Sequence, residues 1–112
     1  PKYHDSDVTY LEGDVTDYLS LLEVLEKSRP DVIFHLAAQS YTAPSFSAPR
    51  VTWEINVMGT LNLLEAIRNL QIKPSVILVA GSAAAYGEQE NFPTTEEAPL
   101  RPISPYGCSK AA

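Results

Sequence analysis

The residues whose types and spacing could do chemistry are Tyr106 and Lys110, within Ser104-Pro105-Tyr106-Gly107-Cys108-Ser109-Lys110. Four positions apart, they share one face if this stretch is helical. A cation beside a phenol favours the phenolate. A tyrosine placed that way can pass a proton to or from a substrate oxygen at neutral pH. Taken alone, the same spacing also describes an ordinary exposed helix pair. The neighbouring stretches narrow the choice. Upstream, Val76-Ile77-Leu78-Val79-Ala80-Gly81-Ser82 reads as a buried strand running into a small-residue turn, and Tyr86-Gly87 comes after it. Between that turn and Tyr106, the residues Pro93, Glu96, Pro99-Leu100, Pro102 and Ser104-Pro105 punctuate a long connection.

The elements that must position these residues are read from periodicity. Val8-Thr9-Tyr10-Leu11 predicts a short strand, and Glu12-Gly13-Asp14-Val15-Thr16-Asp17 a turn. Thr16 or Asp17 can cap the next helix by accepting its orphan backbone N–H groups. Tyr18, Leu21, Leu22 and Leu25 recur at helical spacing, and Ser28-Arg29-Pro30 ends the helix. Asp31 to Ala38 is a continuous apolar run, which suits a parallel strand buried on both faces. Gln39 to Pro49 reads as a Pro/Ser-rich loop. The longest helix runs from about Arg50 to Leu70. Trp53, Val57, Leu61 and Leu64 form one of its stripes, and Val51, Ile55 and Met58 another. An arc that wide predicts the sheet on one side and a partner subunit on the other. Val76 to Ala80 gives a third strand. Strand alternating with helix is the rhythm of a parallel α/β sheet with right-handed crossovers.

Composition narrows the function class. The chain has 112 residues, enough for one small domain, and 45% of them are hydrophobic, so it is globular. With 14 acidic against 8 basic residues the net charge is -6, which argues against a nucleic-acid backbone as partner. No apolar run approaches the ~20 residues of a membrane span, and no signal-peptide pattern is present. The one cysteine, Cys108, fits a reducing, cytoplasmic setting. His35 has no second ligand at metal-binding spacing, so no metal is expected. The chain opens on Pro1-Lys2-Tyr3 without an initiator Met, as if cut from something longer.

The run Ser82…Tyr86-Gly87…Pro93-x-x-Glu96-x-x-Pro99-Leu100-x-Pro102-x-Ser104-Pro105-Tyr106-x-x-x-Lys110 resembles the extended short-chain dehydrogenases/reductases that modify nucleotide sugars, the NAD-dependent epimerase/dehydratase family. The resemblance implies a Rossmann-type doubly wound parallel sheet with NAD or NADP at the strand C-termini. It implies Ser82, Tyr106 and Lys110 as the catalytic set: Ser82 bonds the reacting substrate oxygen, Tyr106 moves the proton, and Lys110 bonds the nicotinamide ribose. Asp14 would contact the adenine, with Val15 beside it; the bland reading is a turn aspartate. Leu36-Ala37-Ala38 would run along the cofactor. Gln39, Ser40 and Tyr86 (with Tyr41) would line the sugar side. Asn56 matches an asparagine near the active site, and equally an asparagine that packs a helix. A homodimer or tetramer is the family habit.

His35-Leu36-Ala37-Ala38-Gln39-Ser40 looks most like the GDP-mannose branch. Its members include GDP-mannose 4,6-dehydratase and the reductase of GDP-4-keto-6-deoxymannose. Gly81-Ser82 with Leu100 to Gly107 leans toward the reductase. Dehydratases of this family carry a glutamate two residues past the catalytic Ser or Thr, and here that position is Ala84. A methyl group cannot abstract a proton, so dehydration would need Glu88 or Glu90 as a substitute. None of the five glycines, at 13, 59, 81, 87 and 107, has the G-x-G or G-x-x-G spacing of a phosphate loop. The chain is therefore expected to be a partial NAD(P)-binding Rossmann domain over residues 1–112. It would supply strands 3, 4 and 5 of the order 3-2-1-4-5-6 and lack the first two strands and the C-terminal substrate domain. Alone, such a piece is expected to be inactive. The rival of another class is a dinucleotide-binding relative without turnover.

Overall fold

Asp17 opens the first helix. In this computed structural model, which describes residues 7–112, its Oδ1 accepts the N–H groups of Leu19 and Ser20 at 3.0 and 3.4 Å. The opening Pro1-Lys2-Tyr3 lies outside the described residues. Helix α1 spans Tyr18–Ser28 and ends where Arg29 turns left-handed, at φ 40°. Strand β1 is Val32–His35, and helix α2, Thr42–Ser47, comes next. Helix α3 (Pro49–Trp53) passes into a π-helical turn (Glu54–Met58) and then into α4 (Gly59–Asn69). Strand β2 is Val76–Val79, a 3-10 turn covers Ala83–Ala85, and α5 is Pro105–Ala111.

The two strands pair in parallel, Val32 with Val76 through His35 with Val79. Helices α1 and α4 pack together on one face of this sheet. Leu21, Leu25, Leu63, Ala66 and Ile67 are buried there, with Ile33 and Ile77 against them from the strands. The opposite face is open: Phe34 is 65% exposed and Val76 51%. The continuous apolar run of β1 predicts cover on both faces, and among the described residues only the helix side has it.

Three further expectations are corrected. Residues 8–11 form no strand, and Tyr10 is 79% exposed. A strand exists through its neighbour's hydrogen bonds, and no described strand pairs with this segment. The 39–49 loop contains a helix, closed by the Ala48 N–H on the Pro44 carbonyl at 3.0 Å, with the Ser45 and Ser47 hydroxyls bonding the Thr42 and Pro44 carbonyls within it. On the long helix, both stripes read from the sequence are largely exposed, Trp53, Leu61 and Leu64 in one and Val51 and Met58 in the other. Leu63, Ala66 and Ile67 make the core contact instead. The π turn is the reason. Its closing bond runs from Gly59 N–H to the Glu54 carbonyl, an i to i+5 pairing. That turn is wider than 3.6 residues, so one stripe cannot be extended through it.

Candidate active site

Lys110 is set by α5. Its Nζ donates to the Ala80 carbonyl, 2.9 Å away, at the C-terminal end of β2. Ala80, Gly81, Ala37 and Lys110 line a cleft of about 370 Å³ beyond the ends of both strands. In parallel α/β sheets that end is where ligands bind.

Ser82 lies just past the same strand. Its Oγ caps the 3-10 turn by accepting Ala84 N–H at 3.2 Å, and α5 packs directly on that turn. Gly107 permits the approach: a Cβ built there would lie 2.5 Å from the Ala84 carbonyl oxygen. Tyr106, its neighbour, is buried at 9% exposure. Tyr86 closes the turn, half-buried, and Gly87 takes φ +64° so that the chain can pass against the Arg101 carbonyl. The 80–87 segment and α5 thus hold Ser82, Tyr106 and Lys110 on touching elements. Ser82 and Tyr106 lie outside the lining of the cleft that Lys110 borders.

Asn56, in the π turn, ties three segments together. Its Oδ1 accepts Gln39 N–H at 2.8 Å. Its Nδ2 donates to the Gln39 carbonyl at 3.1 Å and to Ser109 Oγ at 2.9 Å. This is the bracketing role of a packed asparagine. Gln39 turns its own side chain inward, with Oε1 accepting from Thr52 and Nε2 donating to the Tyr41 carbonyl. Ser40 and Leu36 are exposed beside it. Ala38 is half-buried in the same connection.

Asp14 and Val15 stand apart from the cleft. Asp14 Oδ1 accepts the Thr16 N–H and hydroxyl, both at 2.8 Å, which holds the carboxyl below its ordinary value. Val15 packs against the core, and its carbonyl accepts from Asn62 at 2.9 Å. Among the described residues no group of three His, Cys, Asp or Glu side chains gathers as metal ligands, and no helix is long and apolar enough to cross a membrane.

His35 borders the cleft from below and is 7% exposed. Its Nε2 lies 2.9 Å from Thr60 Oγ1, which spends its own proton on the Asn56 carbonyl at 2.7 Å. Thr60 therefore accepts, and His35 donates from Nε2. Burial first, then the charge of Lys110, push the imidazole below its ordinary 6.5. The unfolded chain thus takes up that proton at higher pH than the folded one. Stability is full above about 6.5, falls as pH drops below it, and levels off under the folded value. His35→Gln is expected to flatten this decline in urea midpoints taken between about pH 5 and about pH 7.5. Equal slopes in both proteins would refute the assignment.

Sequence reasoning missed the serines that hold this region. Ser104 caps α5 by accepting Gly107 N–H at 2.9 Å. A serine before a proline at the first helical position is a helix-start signature and could have flagged it. Ser45, a buried polar partner of α5, and Ser109, buried within α5, carry no local signal.

A parallel strand pair backed by helices, with a cleft past the strand C-termini, defines a Rossmann-type fold. The family described as GDP-mannose 4,6 dehydratase matches residues 1–112, and the chain belongs to it. It is 41% identical over 104 residues to a GDP-mannose 4,6-dehydratase of Sordaria araneosa, covering 92% of this chain and 19% of that protein. It is 40% identical over 106 residues to a UDP-glucose 4-epimerase of Mycoplasma genitalium, covering 92% of this chain and 31% of that one. Among solved structures, RMD from Pseudomonas aeruginosa complexed with NADPH superposes with a TM-score of 0.84 at 33% identity, over 92% of this chain and 36% of RMD. The chain thus spans under a third of these curated relatives and about a third of the solved one.

Proposed function

We propose that the full-length chain is an NAD(P)-dependent enzyme that moves a hydride between carbon 4 of a nucleotide sugar and the nicotinamide. The observation that carries this reading is the fit of Ser82, Tyr106 and Lys110 to touching elements at the strand ends, with Lys110 anchored on the Ala80 carbonyl. NAD or NADP would lie over Ala37, Ala38 and Lys110, with Asp14 and Val15 toward the adenine, and would supply the hydride acceptor. Ser82 would bond the oxygen on carbon 4 while Tyr106 takes or returns its proton. Gln39, Ser40 and Tyr86 would face the sugar. The relatives divide between GDP-mannose 4,6-dehydratases and UDP-glucose 4-epimerases, both named for chemistry at carbon 4 of a nucleotide sugar.

The fate of the resulting 4-keto sugar turns on residue 84. An alanine there offers no base for removing the proton beside the new ketone. The exposed Glu88 and Glu90 border a separate depression in the 88–101 loop. This favours chemistry confined to carbon 4, either epimerisation or reduction of a 4-keto sugar such as GDP-4-keto-6-deoxymannose. The family match favours GDP-mannose 4,6-dehydration as the second reading. Mass spectrometry of products separates them, with the full-length protein given UDP-glucose, GDP-mannose, or the keto sugar plus NADPH. Unchanged mass with a new sugar stereoisomer marks an epimerase, and gain of two hydrogens a reductase. Loss of water from GDP-mannose would overturn the argument from Ala84. No product in any arm would overturn the nucleotide-sugar reading.

A further inference from the structure

Ser45 is a serine with no exposed surface at all, at 0%. It lies on α2, a helix to which the proposed chemistry assigns nothing. Its hydroxyl is fully committed: it donates to the Thr42 carbonyl and accepts the backbone N–H of Tyr106 at 3.1 Å.

That N–H belongs to the first turn of α5, where a helix leaves its donors without intrahelical partners. Pro105 has no N–H to satisfy, and Gly107 gives its own to Ser104 from the same turn. Ser45 takes the remaining one from 61 positions upstream. The Tyr106 carbonyl is held too, by the Ser109 hydroxyl at 2.7 Å, and Ser109 in turn accepts from Asn56. Both backbone polar groups of Tyr106 therefore end on buried serine hydroxyls. A helix of seven residues has little cooperativity of its own, so these bonds fix how far it is rolled and where the phenol points.

We propose that Ser45 is a positioning residue for Tyr106, and that α2 serves to set the phenol against Ser82 and Lys110. The inference rests on the role proposed for Tyr106. Reaction geometry is sensitive to displacements near 1 Å, whereas binding of dinucleotide and sugar is spread over many contacts. Loss of the Ser45 bond should therefore lower kcat and spare affinity.

The test uses the full-length enzyme in four variants: Ser45→Ala, Ser45→Cys, Ser47→Ala and Tyr106→Phe. Cysteine fills the space that alanine would leave empty, with a poorer acceptor, so it preserves the test if the alanine variant folds badly. Ser47 is an exposed neighbour on α2 whose hydroxyl bonds only the Pro44 carbonyl. With Ser45 changed, kcat should fall about tenfold or more, while KM for the sugar and NAD(P)H affinity stay within about twofold. Ser47→Ala should match the parent. Normal kcat in a folded Ser45 variant, alongside an inactive Tyr106→Phe, would overturn this inference alone. So would kcat, KM and affinity worsening together in step with lost folded protein. Full turnover by Tyr106→Phe would overturn the catalytic reading and this inference with it.

Discussion

Tyr106→Phe is expected to lower kcat by about 10²- to 10⁴-fold, the range for removing a positioned proton-transfer group. The substitution deletes one oxygen and leaves the ring. Tyr106 is buried on α5, which packs on the turn capped by Ser82, and no hydrogen bond of its hydroxyl is seen among the described residues. Folding stability should accordingly change by less than about 1 kcal/mol. Dinucleotide affinity should hold, because Lys110 and the strand ends stay in place. Single-turnover measurement of nicotinamide reduction with saturating sugar reads the effect at the chemical step. A variant within a few-fold of the parent would remove Tyr106 from the mechanism.

The second large effect is on stability. Asn56→Leu keeps a side chain of similar size and abandons three bonds. The Gln39 N–H and carbonyl both lose their partner, and Ser109 loses a donor. Orphaning a fully buried group costs about 1–3 kcal/mol; the two Gln39 groups are half-buried, so together they cost up to about 2–6 kcal/mol. That is a large share of the ~5–15 kcal/mol that holds a typical domain together. Asn69→Ala offers the contrast. Its Nδ2 donates to Tyr18 Oη at 2.6 Å on the exposed surface, where water replaces it, and the cost should stay near ~0.5 kcal/mol. Urea unfolding of both variants in the full-length protein makes the comparison. Equal costs would mean that Asn56 does not bracket these segments.

The contrast reflects how the molecule is built. Its helix-and-sheet half is held by apolar contacts among Leu21, Leu25, Leu63, Ala66 and Ile67. Its site half, where α2, α3, the π turn and α5 meet, buries Ser45, Thr52, Asn56, Ser104 and Ser109. Apolar contacts tolerate small shifts, whereas hydrogen bonds demand a particular distance and angle. A polar junction therefore fixes α5 more closely than the same volume of leucine would.

The same division governs what could be read from the sequence. Helix α1 was legible because its determinants are local: Asp17 at the cap and leucines on one face. Strands β1 and β2 were legible as short apolar runs between breakers. The 8–11 segment has the same kind of pattern without a pairing partner, and no strand forms. Helix α2 was hidden because Pro44, Ser45 and Ser47 read as loop formers. The segment is helical where it packs against α3 and α5, contacts visible only in three dimensions. The core face of α4 was misread because the π turn leaves no trace in periodicity.

At the site, the spacing of Tyr106 and Lys110 was legible, and the family resemblance singled out Ser82 with them. Asn56 was singled out, but its partners were not. Its bond to Ser109 spans 53 positions and the Ser45–Tyr106 bond 61. No local pattern encodes pairs that distant. The resemblance places Gln39 on the sugar side, but the bonds of its side-chain amide to Thr52 and Tyr41 were not legible in the sequence.

The most direct test of the central claim tracks the hydrogen on carbon 4. The full-length enzyme would be given NAD(P)+ and a nucleotide sugar deuterated at that carbon, the reaction quenched, and the dinucleotide analysed by mass spectrometry. For the keto-sugar reaction the label starts instead on the nicotinamide of NADPH. Transfer of deuterium between sugar and nicotinamide, abolished in Tyr106→Phe, is the predicted result. Product formation with the label never reaching or leaving the nicotinamide would contradict hydride transfer at carbon 4, and with it the roles given to Ser82, Tyr106 and Lys110.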